Sequence, residues 1–273
     1  MVPVGSDLPE HAPDGARPRE RAAELPGDAD DWEPRISLLA RLDDLRRRLV
    51  RVALALTAGF LLAFTFIGPI VGFVLRPLDA LLPDTSGLIY TEPAEAFLLD
   101  LKIAALVGAL LASPYLLWQL WGLLAPALGV RARRVAVGFV FFSTLLFLFG
   151  ASFAHFVVFP WAWIFFASFA TDYMRFVPKI APTFSLYAKM IVAFGVVFQM
   201  PTVVFFLARA GLVTHRTLIR QARIATLVAF ILGALLTPPD VVSQVLLAGP
   251  IMALYGVGIL IAWLFGRRPD AGA

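Results

Sequence analysis

Five runs of about twenty mainly apolar residues, separated by charged or proline-containing breaks, constrain this chain more than any other feature. A helix needs ~20 such residues to cross ~30 Å of hydrocarbon. Leu49–Gly68, Ala96–Trp118, Val135–Pro160, Ala188–Ala208 and Gln244–Phe265 all reach that length. Arg51 lies near enough to the end of the first to snorkel, and Asp100 and Lys102 fall in the opening turns of the second. A sixth run, Ile224–Leu236, has only thirteen residues, or ~20 Å of helix. Alone it would read as a buried or re-entrant segment. The placement of charge puts its ends on opposite sides, so it is counted as a short sixth crossing.

Composition agrees. The 273 residues are 60% hydrophobic and 15% charged, with a mean hydropathy of +0.82. Soluble domains are about 45–50% apolar and ~25% charged, and a soluble chain of this size hides at most ~75% of its surface on folding. The excess predicts lipid exposure and excludes a soluble cytosolic enzyme. With no cysteine, the chain has no disulfide, thiolate metal site or cysteine nucleophile.

Orientation follows from lysine and arginine, which concentrate on the cytoplasmic side. Eighteen of the 23 fall before or just inside the first span, in the loops after the second and fourth spans, and in the tail. Arg76, Lys102, Arg175, Lys179 and Lys189 fall on the other side. Six crossings then leave both termini cytoplasmic. Residues 1–35 carry six prolines, nine carboxylates and four arginines, a composition that predicts a disordered acidic arm with no signal peptide. The domain reading is therefore an arm over 1–35, a membrane domain over 36–266 and a short tail over 267–273. The outer connections Pro69–Glu95 and Trp161–Tyr187 have the character of packed caps. Prolines 114, 201 and 250 predict kinked helices and a concave body.

Catalytic chemistry is missing. The three histidines, His11, His155 and His215, have no metal-site or nucleophile-elbow spacing. Between Asp100 and Asp240 the only carboxylate is Asp172, in an outer loop. No metal, cofactor or catalytic residue is expected. A six-span solute transporter is the competing class, but it would place a carboxylate at mid-membrane, and the sequence offers Gln199 instead. Gln199 either satisfies backbone groups freed by Pro201 or lines a groove for a passenger or partner helix. His155 reads as a neutral packing residue or, less simply, a ligand.

The start of the first helix is the most informative segment. Leu38, Leu42, Leu45 and Leu49 recur at helical spacing and predict an amphipathic stretch on the inner surface before the span. Asp43 and Asp44 stand one turn from Arg47 and Arg48. Two readings stay open: the acids stabilise the helix through i,i+4 pairs, or they meet a cationic partner as a bidentate arginine acceptor.

Taken in order, the motifs resemble the TatC family of the twin-arginine protein translocase, from about Leu38 to Phe265. They are Arg41-Leu42-Asp43-Asp44-Leu45-Arg46-Arg47-Arg48-Leu49, Tyr90-Thr91-Glu92-Pro93-Ala94-Glu95-Ala96-Phe97 with Lys102, and Ala112-Ser113-Pro114 with Gln119-Leu120-Trp121. Next come Ala125-Pro126-Ala127-Leu128 and the third span's Phe153-Ala154-His155-Phe156-Val157-Val158-Phe159-Pro160. Last is Leu235-Leu236-Thr237-Pro238-Pro239-Asp240, leading to Ser243 and Gln244.

The resemblance implies an all-α fold of six transmembrane helices in a cupped-hand arrangement with structured outer loops. It implies an inner-membrane receptor that binds twin-arginine signal peptides of folded proteins and recruits the single-span subunits TatA and TatB. Export is then driven by the proton-motive force, within a homo-oligomeric translocase in contact with membrane lipids and no nucleic acid. Signal-peptide binding falls on Asp44, Arg46, Asp43, Gln119, Arg133 and Arg134, and the groove position on Gln199. The outer-loop positions are Glu95 and Lys102, and partner-helix docking falls on Thr237, Asp240 and Gln244. For that docking set the plainer reading is that Thr237 caps the turn and Gln244 begins the sixth helix.

Three departures from the family pattern stand out. Ala132 and Gln199 occupy positions where the family has glutamates, and Arg41 stands where histidine is usual. Losing a charge-assisted partner for arginine costs ~1.5–3 kcal/mol, which predicts weakened or altered signal recognition, as in a divergent second copy. Asp43, or the arm's Asp28, Asp30, Asp31 and Glu33, is the remaining local source of carboxylate.

Overall fold

A computed structural model describes residues 29–79, 89, 92–124, 132–171, 177–237 and 240–266. The chain divides into two compact units, Met1–Arg48 and Leu49–Ala273. Among the described residues every regular element is helical, and an isolated bridge pairs Ile89 with Lys179. In chain order the helices are α1 (Ala29–Thr65), α2 (Ile67–Asp79), α3 (Pro93–Leu124), α4 (Ala132–Phe153), α5 (Phe159–Ala167), α6 (Ile180–Val197), α7 (Met200–Arg209), α8 (His215–Arg220), α9 (Ala222–Leu236) and α10 (Val241–Phe265).

Five stretches are long and apolar enough to cross a membrane: Asp43–Thr65, Pro93–Gly122, Val137–Ala167, Ile180–Arg209 and Val241–Phe265. Each overlaps one of the five long runs in the sequence. Helix α9 has 15 residues, ~22 Å, which is short of the hydrocarbon thickness. The outer face of the structure carries large side chains in the open, including Phe141, Phe149, Trp161, Leu235 and Trp263. Lipid covers such a surface without cost, whereas water would not.

Several boundaries differ from the sequence reading. Helix α1 starts at Ala29, inside the expected arm, and runs to Thr65, so no break separates the amphipathic stretch from the span. The third span does not stop at Pro160. A single wide turn, Ala154–Val158, lets the Phe159 N–H reach the Ala154 carbonyl, and α5 then continues to Ala167. Proline lacks an N–H and its ring crowds the carbonyl four residues back; widening the preceding turn accommodates both. The fourth span begins at Ile180, eight residues before the apolar run, and breaks at Phe198–Gln199 just ahead of Pro201. The second connection is therefore partly helix, at 161–167 and 180–187, and residues 172–176 within it lie outside the described residues. Residues 1–28, the turn prolines Pro238 and Pro239, and the tail 267–273 lie outside the described residues.

The main core of the larger unit joins α2, α3, the α4–α5 pair, α6, α9 and α10 through Val74, Ile103, Phe159, Met190, Phe194 and Leu247. Where helices approach most closely the side chains vanish. A Cβ on Gly59 of α1 would lie 2.4 Å from the Gly108 carbonyl oxygen of α3, and one on Gly108 would lie 2.5 Å from Phe60 N. Without a hydrophobic force between helices in lipid, this close packing is what holds α1 against α3. Helix α7 ends in a Schellman turn. Gly211 adopts φ 78°, Leu212 N–H bonds the Leu207 carbonyl at 2.9 Å, and Gly211 N–H bonds that of Ala208 at 3.1 Å.

Candidate functional site

On α1 both i,i+4 pairs form. Arg48 Nε donates to Asp44 Oδ2 at 2.8 Å, and Arg47 stands 3.6 Å from Asp43 Oδ2. The carboxylate side chains nonetheless remain 62% and 53% exposed, for Asp43 and Asp44 respectively. Exposed helical pairs contribute only ~0.3–0.5 kcal/mol. The two sequence readings are thus compatible: the acids brace the helix and still face outward, free to exchange partners. Arg46 is exposed beside them.

At the other end of α3, Gln119 is buried and its Nε2 donates to Tyr115 Oη at 2.7 Å. The neighbouring Trp121 packs its ring 4.1 Å from Phe139 of α4 and 4.6 Å from Phe206 of α7, centroid to centroid. This aromatic knot ties three helices together beside Gln119. Arg133 and Arg134 belong to the first turn of α4, but their side chains, with those of Asp30, Asp31 and Glu33, lie outside the described residues.

Gln199 follows neither sequence reading in full. Its Oε1 accepts from Ser143 Oγ at 2.5 Å, and its Nε2 donates to the Ser143 carbonyl at 2.8 Å. The amide therefore clamps the α6–α7 break to α4 instead of serving its own freed backbone. Half-buried, it sits where a polar group needs satisfaction in lipid.

The corner between α9 and α10 is built from the three expected docking residues. Thr237 leaves the helix in extended conformation, and its Oγ1 and N–H both donate to the Gly233 carbonyl at 2.9 and 3.0 Å. Asp240 caps α10, accepting from the Ser243 N–H at 2.7 Å and from Ser243 Oγ. Gln244 Nε2 donates to the Phe230 carbonyl at 2.8 Å, binding α10 to α9. Thr237 does cap the turn, and Gln244 lies one turn inside α10.

Where the starts of α3 and α6 meet, Glu95 Oε1 accepts the Ala181 N–H at 3.2 Å and so fixes one to the other. The Ile89–Lys179 bridge reinforces it, through Ile89 N–H to Pro178 O at 3.2 Å and Ile180 N–H to Ile89 O at 3.1 Å. Lys102 is exposed and shares with Glu92, Glu95 and Phe184 the wall of a cavity of about 220 Å³. His155 is a packing residue: buried, 2.9 Å from Tyr187 Oη, with its ring stacked on Phe73 at 4.7 Å. Among the described residues no group of three or more His, Asp or Glu could hold a metal.

Sequence reasoning missed the partners. Tyr115 was findable, standing one turn before Gln119. Ser143 and Phe230 were not, because they come from other helices and no local spacing points to them.

Residues 40–250 match the family described as Sec-independent protein translocase protein (TatC). The chain is 37% identical over 230 residues to the TatC protein of Desulforapulum autotrophicum, covering 84% of this chain and 85% of that one. It is 36% identical over 238 residues to the TatC of Carboxydothermus hydrogenoformans, covering 87% and 97%. Among solved structures, a crystal structure of the twin arginine translocase receptor TatC superposes with a TM-score of 0.73 at 33% identity, over 83% of this chain and 99% of that one. A second, determined in DDM, gives 0.74 at 32%. These relatives are named as translocase components, not enzymes.

Proposed function

The chain belongs to the TatC family, and from that premise we propose that it is the membrane-embedded receptor subunit of a twin-arginine translocase. It binds the twin-arginine signal peptides of folded proteins and recruits TatA and TatB for export driven by the proton-motive force. The observation that carries signal binding is the exposed pair of carboxylates on α1, Asp43 and Asp44, each within reach of an arginine at i+4. An incoming guanidinium replaces an equivalent partner there at little cost.

The remaining roles follow the same reading. Helix α9 is the sixth, short crossing, both termini are cytoplasmic, and the helices of the larger unit lie in the inner membrane. Gln119, Arg133 and Arg134 also take part in signal-peptide binding, while Thr237, Asp240 and Gln244 serve partner-helix docking. Glu95 and Lys102 belong to the outer cap. The arm over 1–35 and the tail over 267–273 are cytoplasmic appendages, and copies of the chain associate within the translocase.

A second reading, a divergent family member with weakened signal recognition, is favoured by a specific feature. Gln199 is neutral and its amide is engaged by Ser143, so it supplies no charge to the groove. Complementation separates the two. A strain lacking its own TatC exports a twin-arginine reporter with this chain if the first reading holds; failure to export with normal membrane insertion supports the second.

A further inference from the structure

Between α2, the first turns of α3 and the start of α6 lies a cavity of about 710 Å³, within the usual range for small-molecule sites. Val71, Phe73, Leu75 and Leu99 give it apolar walls. Two opposite charges line it as well: Arg76 from the last turn of α2 and Asp100 from the second turn of α3. Neither has an ion-pair or hydrogen-bond partner among the described residues, and they do not pair with each other. Arg76 is exposed and Asp100 half-buried, so two charges of opposite sign stand beside apolar surface, open to a ligand that carries both complements.

We propose that this cavity binds a zwitterionic phospholipid carrying a primary ammonium, with its phosphate on Arg76 and its ammonium on Asp100. The upper acyl chain then lies against Val71, Phe73 and Leu99. Asp100 comes seven residues into α3, ~10 Å from the helix start; with that start at the membrane surface, Asp100 lies near the boundary between headgroup and acyl chain. Phosphate and ammonium in one headgroup neutralise both side chains together. An anionic headgroup would leave Asp100 unmatched and repelled, and a quaternary ammonium has no N–H to donate. Free phosphate would leave the apolar walls unused. That this end meets the outer leaflet rests on the orientation proposed above.

The test is native mass spectrometry of the full chain in detergent, with phosphatidylethanolamine, phosphatidylcholine and phosphatidylglycerol of identical acyl chains. Phosphatidylethanolamine is expected to be retained about tenfold over the other two. Arg76→Gln lowers retention of all three, whereas Asp100→Asn removes the preference over phosphatidylcholine. Gly72 lines the cavity and a Cβ there meets open space, so Gly72→Phe narrows the cavity with no change of charge and lowers retention of every lipid. That variant carries the test if a charge variant fails to fold. Equal retention of the three lipids, preference for phosphatidylglycerol, or retention unchanged by Gly72→Phe overturns the proposal. The assay contains no signal peptide and needs no orientation, so its failure leaves the complementation result intact, and the reverse.

Discussion

Asp43 and Asp44 carry the residue-scale argument, since they are at once structural and available. Truncating both should lower crosslinking of a twin-arginine peptide about ten- to a hundredfold while far-UV circular dichroism stays unchanged, because the lost helical pairs are weak. Binding that survives the double substitution at full strength would move recognition elsewhere on the chain. Gln199 gives a second test at this scale. Interhelical side-chain hydrogen bonds in lipid average ~0.6 kcal/mol and reach ~1.7. Ser143→Ala and Gln199→Ala should each lower the thermal midpoint, and the double variant should fall by less than their sum, since both remove one clamp. Full additivity would mean the amide and the hydroxyl act separately. Such pairings were only half legible: the i,i+4 acids on α1 could be read from spacing, but Ser143 lies 56 positions from Gln199, and only folding brings them together.

Helices are where prolines and glycines acquire meaning. Pro160 looked like a terminator, yet the wide turn Ala154–Val158 carries the helix through it. Periodicity cannot foresee this, because one extra residue per turn leaves no mark in an all-apolar segment. Gly59 and Gly108 likewise look unremarkable in sequence, one small residue among many in long apolar runs. Their mutual approach predicts that Gly108→Leu separates α1 from α3 and sharply lowers the yield of folded protein in detergent, whereas Gly68→Leu, with nothing within 4 Å of a new Cβ, is tolerated. Equal yields would show that the contact is not needed for folding.

For the whole molecule the testable quantity is topology, and the absence of cysteine makes it accessible. A single cysteine at Arg216 should react with a membrane-impermeant thiol reagent only after the cells are opened, while one at Val241, 74% exposed, should react from outside. Both reacting from the same side would remove α9 as a crossing and leave five. The charge asymmetry predicts opposite sides for the two cysteines, since eighteen of 23 basic groups gather on one side only if α9 is counted as a crossing, and short loops follow that bias.

The amino-acid sequence by itself determined that this is a helical membrane protein, where its five long spans run, and which family its motifs resemble. Those properties depend on hydrophobic length, local spacing and charge, which are written along the chain. Only the tertiary structure decided which polar groups satisfy one another: Gln199 with Ser143, Gln244 with the Phe230 carbonyl, Glu95 with Ala181. It also brought Arg76 and Asp100 to the wall of one cavity, with no ion-pair partner for either among the described residues. In lipid nearly every buried polar group must find a partner, but which partner depends on how helices distant in sequence pack, and no local pattern records that.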